Sequence, residues 1–405
     1  MRIIVLGAGV IGTATAFMLA EAGHQVSVLE RAAAAGEGTS RANGAMLHPS
    51  AVGPWSGPGM PWQILRWMRD ARAPFLLRAS AIPQMWRWGL GFLRNCTAER
   101  CAAATEANRV LAIETLDALA FVRERTGIAW HRVPAGVVQL FADAAALARA
   151  DAGAAPLRAA GLDVRVLDRA GVASVDPTLG RLGNRIAGAL HVQQDEVGNA
   201  REFCVALAEW SARAQGVQYR FATEAEGLEI AGGRVSGVRS TAGVLPADAV
   251  VVALGPHSAP FLKPHGIRLP IYPVKGVSVT WPREAWPDAP RVAVLDDARH
   301  FAFVPLRDHV RICGSAEVAG FDATPDPARI RAVTDRVAEL FPDVPHDDRR
   351  GEMWAGLRPM TPSGTPIIGP APKLAGLWLN TGHGHTGWTQ SAGSARRLAA
   401  MIGGA

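Results

Sequence analysis

Residues 2–31 read RIIVLGAGVIGTATAFMLAEAGHQVSVLER, and this stretch constrains the fold more than any other. Arg2–Leu6 is an apolar run suited to a buried parallel strand. Gly7, Gly9 and Gly12 form a GxGxxG turn, and Val10–Glu21 carries a helical pattern. A second apolar run, 24–29, ends at Glu30. Gly7 permits the tight turn, Gly9 lets a pyrophosphate approach the backbone, and Gly12 lets the helix pack on the strand. The open N–H groups and positive dipole end of that helix suit phosphates. Glu30 lies 18 residues after Gly12, close to the spacing expected for a carboxylate on the ribose hydroxyls of an adenine dinucleotide. Its charge repels a 2′-phosphate and disfavours NADP. The pattern does not separate FAD from NAD.

The 405 residues suffice for two domains and a large core. Hydrophobic content of 49% against 19% charged is that of a globular enzyme. No apolar run reaches the roughly 20 residues that span a bilayer. With a strand at residue 2 and no cleavable leader, the expected location is cytoplasmic. Cys96, Cys101, Cys204 and Cys313 show no CxxC and no zinc spacing, so reduced, mostly buried thiols and no metal are expected. The net charge of +6 is spread without a run of five basic residues, which argues against nucleic acid as a partner.

Along the chain, 31–45 is small, polar and glycine-containing. It reads either as a loop beside the cofactor or as an ordinary surface loop. Residues 49–61 are dense in Pro and Gly and leave the nucleotide domain. Residues 62–126 read mostly as helices, Val137–Phe141 as a strand, and 143–160 as a helix. Residues 191–198 read as a polar hinge, 201–215 as a helix, and 217–221 and 227–230 as strands. Gly232-Gly233 is a hairpin turn into 235–239, and 249–254 is another strand. Strands dominate 270–318, helices cover 327–340 and 389–401, and 378–384 is a strand running into a glycine turn. The nucleotide domain is thus expected to be discontinuous (1–50, 190–258 and 350–405), with a second domain from 51–189 and 259–349.

GLRPMTPSGTPIIGP (356–370) and LWLNTGHGHTGWTQSAGS (377–394) resemble the signature blocks of the D-amino-acid oxidase superfamily of FAD enzymes. Within it the chain looks most like the small subunits of bacterial D-amino-acid dehydrogenases. Blocks around Trp55, at LRNC (93–96), VQLF (138–141), DEVG (195–198), YPVKG (272–276) and GSAEVAGF (314–321) agree in order and interval. The resemblance runs from residue 2 to about 400. It implies an α/β fold: a Rossmann-like, GR2-type FAD-binding domain with a second α+β substrate or cap domain on an antiparallel-rich sheet. Gly7, Gly9, Val10, Ile11, Gly12 and Glu30, with Arg31 beside it, would hold the ADP half. Ser40, Asn43, Gly44 and Ala45 would pass the ribityl chain and pyrophosphate. Ala225 matches the residue whose backbone meets adenine, and Leu254-Gly255 the strand end over the ribose. Gly382, His383, Gly384, Thr386, Gly387, Trp388 and Thr389 would wrap the isoalloxazine. Two departures stand out: Ser363 replaces an acidic residue, and Asn43-Gly44-Ala45-Met46 replaces NAGQ. Both put substrate preference in question more than cofactor binding.

The reaction implied is hydride transfer from Cα of a D-amino acid to flavin N5, the imino acid then hydrolysing to a 2-oxo acid and ammonia. It needs a fixed carboxylate, a neutral amine and a dry transfer path. Arg358 sits where the superfamily carries its carboxylate arginine, and a guanidinium fork matches two oxygens. The alternative is a structural arginine bridging domains. Tyr272 caps the substrate or merely packs a strand. Lys275 binds water or supports reduced flavin, or else closes an interface salt bridge. His48 and His383 are weaker substrate contacts.

Residues 61–95 interleave Trp62, Trp67, Trp86 and Trp88 with Arg66, Arg69, Arg72, Arg78, Arg87 and Arg94. This suits a bilayer interface on the inner face of the cell membrane, with electrons passing to a quinone or dye. It equally suits a tryptophan core under a solvated arginine face. The rival functions are an oxygen-using oxidase of glycine, sarcosine or D-amino acids, an RNA-modifying oxidoreductase of the same fold, and a non-catalytic nucleotide-binding module.

Overall fold

The computed structural model describes residues 1–404 apart from 69, 71, 72 and 347–349, so Arg69 and Arg72 lie outside the described residues. The opening apolar run forms strand Arg2–Leu6 in the middle of a six-stranded sheet. Its order is Gln218–Arg220, Gln25–Leu29, Arg2–Leu6, Ala249–Val252, Leu377–Thr381 and Ile367–Pro370. The first five strands are parallel, with Ile3 opposite both Val26 and Ala249, and the last is antiparallel. The central strands Arg2–Leu6 and Ala249–Val252, buried on both faces, read as continuous apolar runs.

Helices Val10–Glu21, Ala200–Gln215, Ser391–Gly403 and Ala98–Thr126 cover one face through Phe17, Phe203, Leu207, Leu398 and Leu119. Their ends follow from local chemistry. The Asn199 side chain accepts the Arg201 and Glu202 N–H groups, and the Thr97 hydroxyl accepts that of Arg100. Gly216 and Gly127 stop their helices in the left-handed region. A three-stranded antiparallel sheet, Ala225–Ala231, Arg234–Ser240 and Gly243–Pro246, covers the opposite face through Leu228, Val235 and Val238.

A nine-stranded sheet, mostly antiparallel, stands beside this layer. Its order is Glu352–Met360, Tyr272–Pro282, His309–Val318, Phe301–Leu306, Ala293–Asp296, Val137–Phe141, Gly188–Val192 and Val164–Leu167, with Phe75–Leu77 paired in parallel to the end of His309–Val318. Strand Tyr272–Pro282 is buried along nearly its whole length between two neighbours, and places Val274 opposite Arg358.

The polar stretch 191–198 is not a hinge. It contributes to strands Gly188–Val192 and Glu196–Gly198, both buried. Its acids are buried because distant partners satisfy them: Asp195 accepts from Ser50, and Glu196 pairs with Arg132 at 2.6 Å. The 143–160 helix is broken at Ala154, where the short helix Ala155–Ala159 restarts with Pro156 in its first turn. All four cysteines are free, but only Cys204 is fully buried.

Candidate active site

A cavity of about 1350 Å³ opens at the carboxyl ends of the parallel strands and extends over the large sheet. At one end lies the glycine turn. Gly7 has φ +98°, and a Cβ there would stand 2.8 Å from the Ala253 carbonyl oxygen. A Cβ on Gly12 would fall 1.8 Å from the Gly7 carbonyl oxygen, so only glycine lets this helix seat on its strand. Gly9 borders the cavity at the helix start, with the Val10 N–H donated to the Ser40 hydroxyl. The Glu30 carboxylate accepts the Ala8 and Ala32 N–H groups at 2.8 and 2.9 Å and lines the cavity, which fixes its position at the strand end. These are the contours a dinucleotide needs: a small-residue cradle, open helix N–H groups and a fixed carboxylate.

The 31–45 stretch lines the cavity through Ser40, Asn43 and Gly44. Arg311 donates to the Asn43 carbonyl oxygen at 3.0 Å, and Ser278 to that of Ala42 at 2.9 Å, pinning the loop to the large sheet. Burial pushes the Arg311 guanidinium down to about 10. Ala45 turns its backbone to φ +49° behind the loop and does not line the cavity. Val10, Ile11, Arg31, Ala225, Leu254 and Gly255 all line the nucleotide end. Arg31 meets His257 at 3.0 Å.

Around the glycine-rich turn 382–388, His383, Gly384, Gly387 and Trp388 line the cavity, whereas Gly382, Thr386 and Thr389 stand behind it. Gly382 (φ +78°) is pressed against Thr361, the Thr386 hydroxyl donates to the His383 carbonyl oxygen, and the Thr389 hydroxyl accepts the His48 N–H. They shape the turn from behind.

Arg358 lies at the other end. Its guanidinium sits over Gly276, donates to the Ser315 carbonyl oxygen at 3.0 Å, and stacks 5.3 Å above Trp55. Among the described residues no carboxylate lies within ion-pair distance. Burial lowers its affinity for a proton, yet a guanidinium keeps its charge in proteins. A half-buried cation lining a cavity, without an acidic partner among the described residues, calls for an anion.

Three histidines surround it. His48, His383 and His385 are held neutral by burial, at about 4, 3 and 3, and His385 stacks on Trp55 at 5.2 Å. The His48 Nδ1 and His383 Nε2 atoms are buried without a hydrogen-bond partner. His385 and Trp55 were not singled out as site residues by their spacing. The repeated histidines of GHGHTG are the only hint of the first.

Tyr272 and Lys275 do not line the cavity. The Tyr272 ring packs 5.9 Å from Trp88, and its buried hydroxyl faces the Gly320 backbone without completing a hydrogen bond of ordinary geometry. The buried Lys275 ammonium pairs with Asp322 at 3.0 Å and Glu317 at 3.4 Å. Ser363 forms a local turn with Thr365 and also stays outside the cavity.

In the 61–95 segment the tryptophans divide. Trp67 and Trp88 line the cavity, and Trp62 is 77% exposed. Trp86, half exposed, sits at the cavity rim. Leu65, Met68, Ile82, Leu90 and Leu93 are exposed beside them. Arg78 is committed to Glu317 and Asp326. Among the described residues no helix is long and apolar enough to cross a membrane, and none form a metal-binding cluster.

A family model described as FAD dependent oxidoreductase matches residues 2–401. A D-amino acid dehydrogenase of Cereibacter sphaeroides is 44% identical over 404 residues, covering 100% of this chain and 92% of that protein. One from Phenylobacterium zucineum is 43% identical, covering 100% and 94%. Among solved structures, glycine oxidase from Geobacillus kaustophilus aligns with a TM-score of 0.72 at 25% identity, covering 99% of this chain and 94% of that one. L-proline dehydrogenase from P. horikoshii aligns at 0.74 and 18%, covering 99% and 92%.

Proposed function

The chain belongs to the FAD dependent oxidoreductase family, and from that premise we propose that it oxidatively deaminates D-amino acids to 2-oxo acids and ammonia. The observation that carries this reading is the partly buried guanidinium of Arg358, without a carboxylate partner among the described residues, in the same cavity as the glycine turn and Glu30. Relatives above 40% identity over the whole chain bear the name D-amino acid dehydrogenase.

FAD, when bound, would supply the two-electron hydride acceptor. The residues of the chain do the rest. Gly7, Gly9, the Val10–Glu21 helix start and Glu30 hold the nucleotide half, and Ser40, Asn43 and Gly44 border its path. His383, Gly384 and Gly387 border the ring end. Arg358 holds the substrate carboxylate by its planar fork and so fixes the direction of the Cα–H bond. The neutral histidines add no positive charge that would repel the amine in its ammonium form. In this proposal no obligatory base is assigned among the described residues. The ammonium loses its proton to solvent before the productive complex forms.

The electron acceptor in this proposal is a quinone reached from an anionic membrane surface. Exposed Trp62, Leu65, Met68, Trp86, Leu90 and Leu93 lie on the two helices Met60–Trp67 and Ile82–Asn95 and the turn after the first, beside Arg66, Arg87 and Arg94. Apolar and aromatic groups with cations suit acyl chains and lipid phosphates. The same helices line the cavity with Ile64, Trp67, Trp88 and Leu93.

The test is the visible spectrum of the gently purified protein, followed by anaerobic titration with D- and L-amino acids. A yellow protein bleached by D- but not L-amino acids supports the proposal, and one bleached by neither contradicts it.

A further inference from the structure

The cavity wall beside Arg358 is closed by the helix Ile82–Asn95, which turns Met85, Trp88, Gly89 and Phe92 inward at helical spacing. Met85 and Trp88 pack on the cluster of Tyr272, Val274 and Met360. The Trp88 indole N–H donates to the Met360 carbonyl oxygen at 2.8 Å, and its ring stacks on Phe92 at 5.3 Å. This inward stripe is thereby tied to the strand that carries Arg358 two residues earlier.

Gly89 lines the cavity in the middle of this stripe. Glycine in a helix interior costs about 1 kcal/mol relative to alanine, so its presence needs a reason. The backbone gives none, for Gly89 is helical and not among the positive-φ glycines. Packing against the protein gives none either. A Cβ there would meet only the flexible Met85 side chain, at an ordinary 3.4 Å. Gly91, two positions further along, differs: its Cβ would press on the Pro362 ring at 3.1 Å. The space that Gly89 leaves belongs to the cavity alone.

We infer that Gly89 sets the size of the substrate side chain, and that the preferred substrates are amino acids with large, uncharged, apolar side chains, seated among Trp55, Phe75, Met85 and Trp88. This rests on the proposed role of Arg358 as carboxylate partner. The carboxylates that line the cavity stand elsewhere. Glu30 and Glu224 are at the nucleotide end, Asp296 pairs with Arg299, and Asp297 accepts from Gln139. Among the described residues, a cationic side chain would find no acid in the wall beside Arg358, and a carboxylate side chain would lose its hydration there without a second cation.

The experiment compares wild-type holoenzyme with Gly89→Leu in two ways. The first is the ratio of kcat/KM for D-phenylalanine to that for D-alanine, with a dye acceptor. The second is the ratio of affinities for phenylacetate and acetate, read from perturbation of the flavin absorption and independent of turnover. Both ratios are insensitive to how much of the variant folds. Both should fall about tenfold or more in Gly89→Leu, because the added isobutyl group occupies the aromatic ring's space. An enzyme that oxidises D-amino acids with unchanged ratios overturns the inference while the proposed reaction stands. An enzyme that loses phenylacetate selectivity on substitution but oxidises no D-amino acid supports the pocket and overturns the reaction.

Discussion

Arg358 and Gly276 occupy neighbouring strands so closely that a Cβ on Gly276 would stand 2.4 Å from the guanidinium nitrogens. Glycine at 276 is what lets the arginine lie flat across the sheet and reach the Ser315 carbonyl oxygen. Gly276→Ala should therefore displace the guanidinium without opening the core. The expected outcome is a rise in KM for D-amino acids of about tenfold or more, with the flavin spectrum retained. Steady-state kinetics beside the absorption spectrum check it.

Gly12→Ala acts at the other end. Its methyl would collide with the Gly7 carbonyl oxygen, and the helix must lift from the strand. Overpacking of this kind costs about 1–3 kcal/mol, and here it also moves the N–H groups that face the phosphates. We expect a lower melting temperature and protein purified with little FAD, measured by the ratio of absorbance at 450 to 280 nm (about 450 and 280, ordinary flavin and aromatic bands).

Asp195 gives a pH dependence of stability. Burial, opposed by hydrogen bonds from Ser50, pushes its carboxyl from 3.8 up to about 7. The folded state then binds more protons than the unfolded state between these values. The stabilisation is complete below 3.8 and is lost as pH rises through about 7. His48, lowered to about 4, contributes the opposite slope on the acid side. The informative quantity is therefore the difference between proteins: wild type should lose stability relative to Asp195→Asn from pH 5 to 8, by denaturant melts at each pH. Parallel curves would contradict the assignment.

The exposed helical face offers a fourth test. Wild-type protein should float with anionic vesicles at low salt. Replacing Leu65 and Met68, both about half exposed and outside the cavity lining, by aspartate should reduce the bound fraction severalfold, since each change removes apolar contact and adds repulsion. Reduction of a soluble dye should be unaffected, and equal flotation of both proteins would remove the membrane from the proposal.

What the sequence made legible was local. The strand, glycine turn, helix and Glu30 all fall within 30 residues, and each is fixed by backbone chemistry that a residue type announces. The place of Arg358 in the cavity was legible through its signature block. Lys275 was not, although it adjoins Gly276. Its acids, Glu317 and Asp322, lie more than 40 residues on, and nothing at 275 says that they come near enough to take the ammonium. For Tyr272 the sequence left substrate contact and strand packing open, because its neighbour Trp88 comes from the distant helix Ile82–Asn95. The polarity of 191–198 suggested a hinge because Ser50 and Arg132, which make burial of its acids tolerable, are invisible from within the segment.

The central claim is that Arg358 holds the substrate carboxylate beside the flavin. It is tested most directly by anaerobic stopped-flow reduction of wild-type and Arg358→Ala holoenzyme with a D-amino acid. Loss of a buried charge-assisted pair is worth about 2–5 kcal/mol. The variant should keep its flavin spectrum while its second-order rate of bleaching falls by about thirtyfold or more. A variant reduced as fast as wild type, with the same concentration dependence, would contradict it.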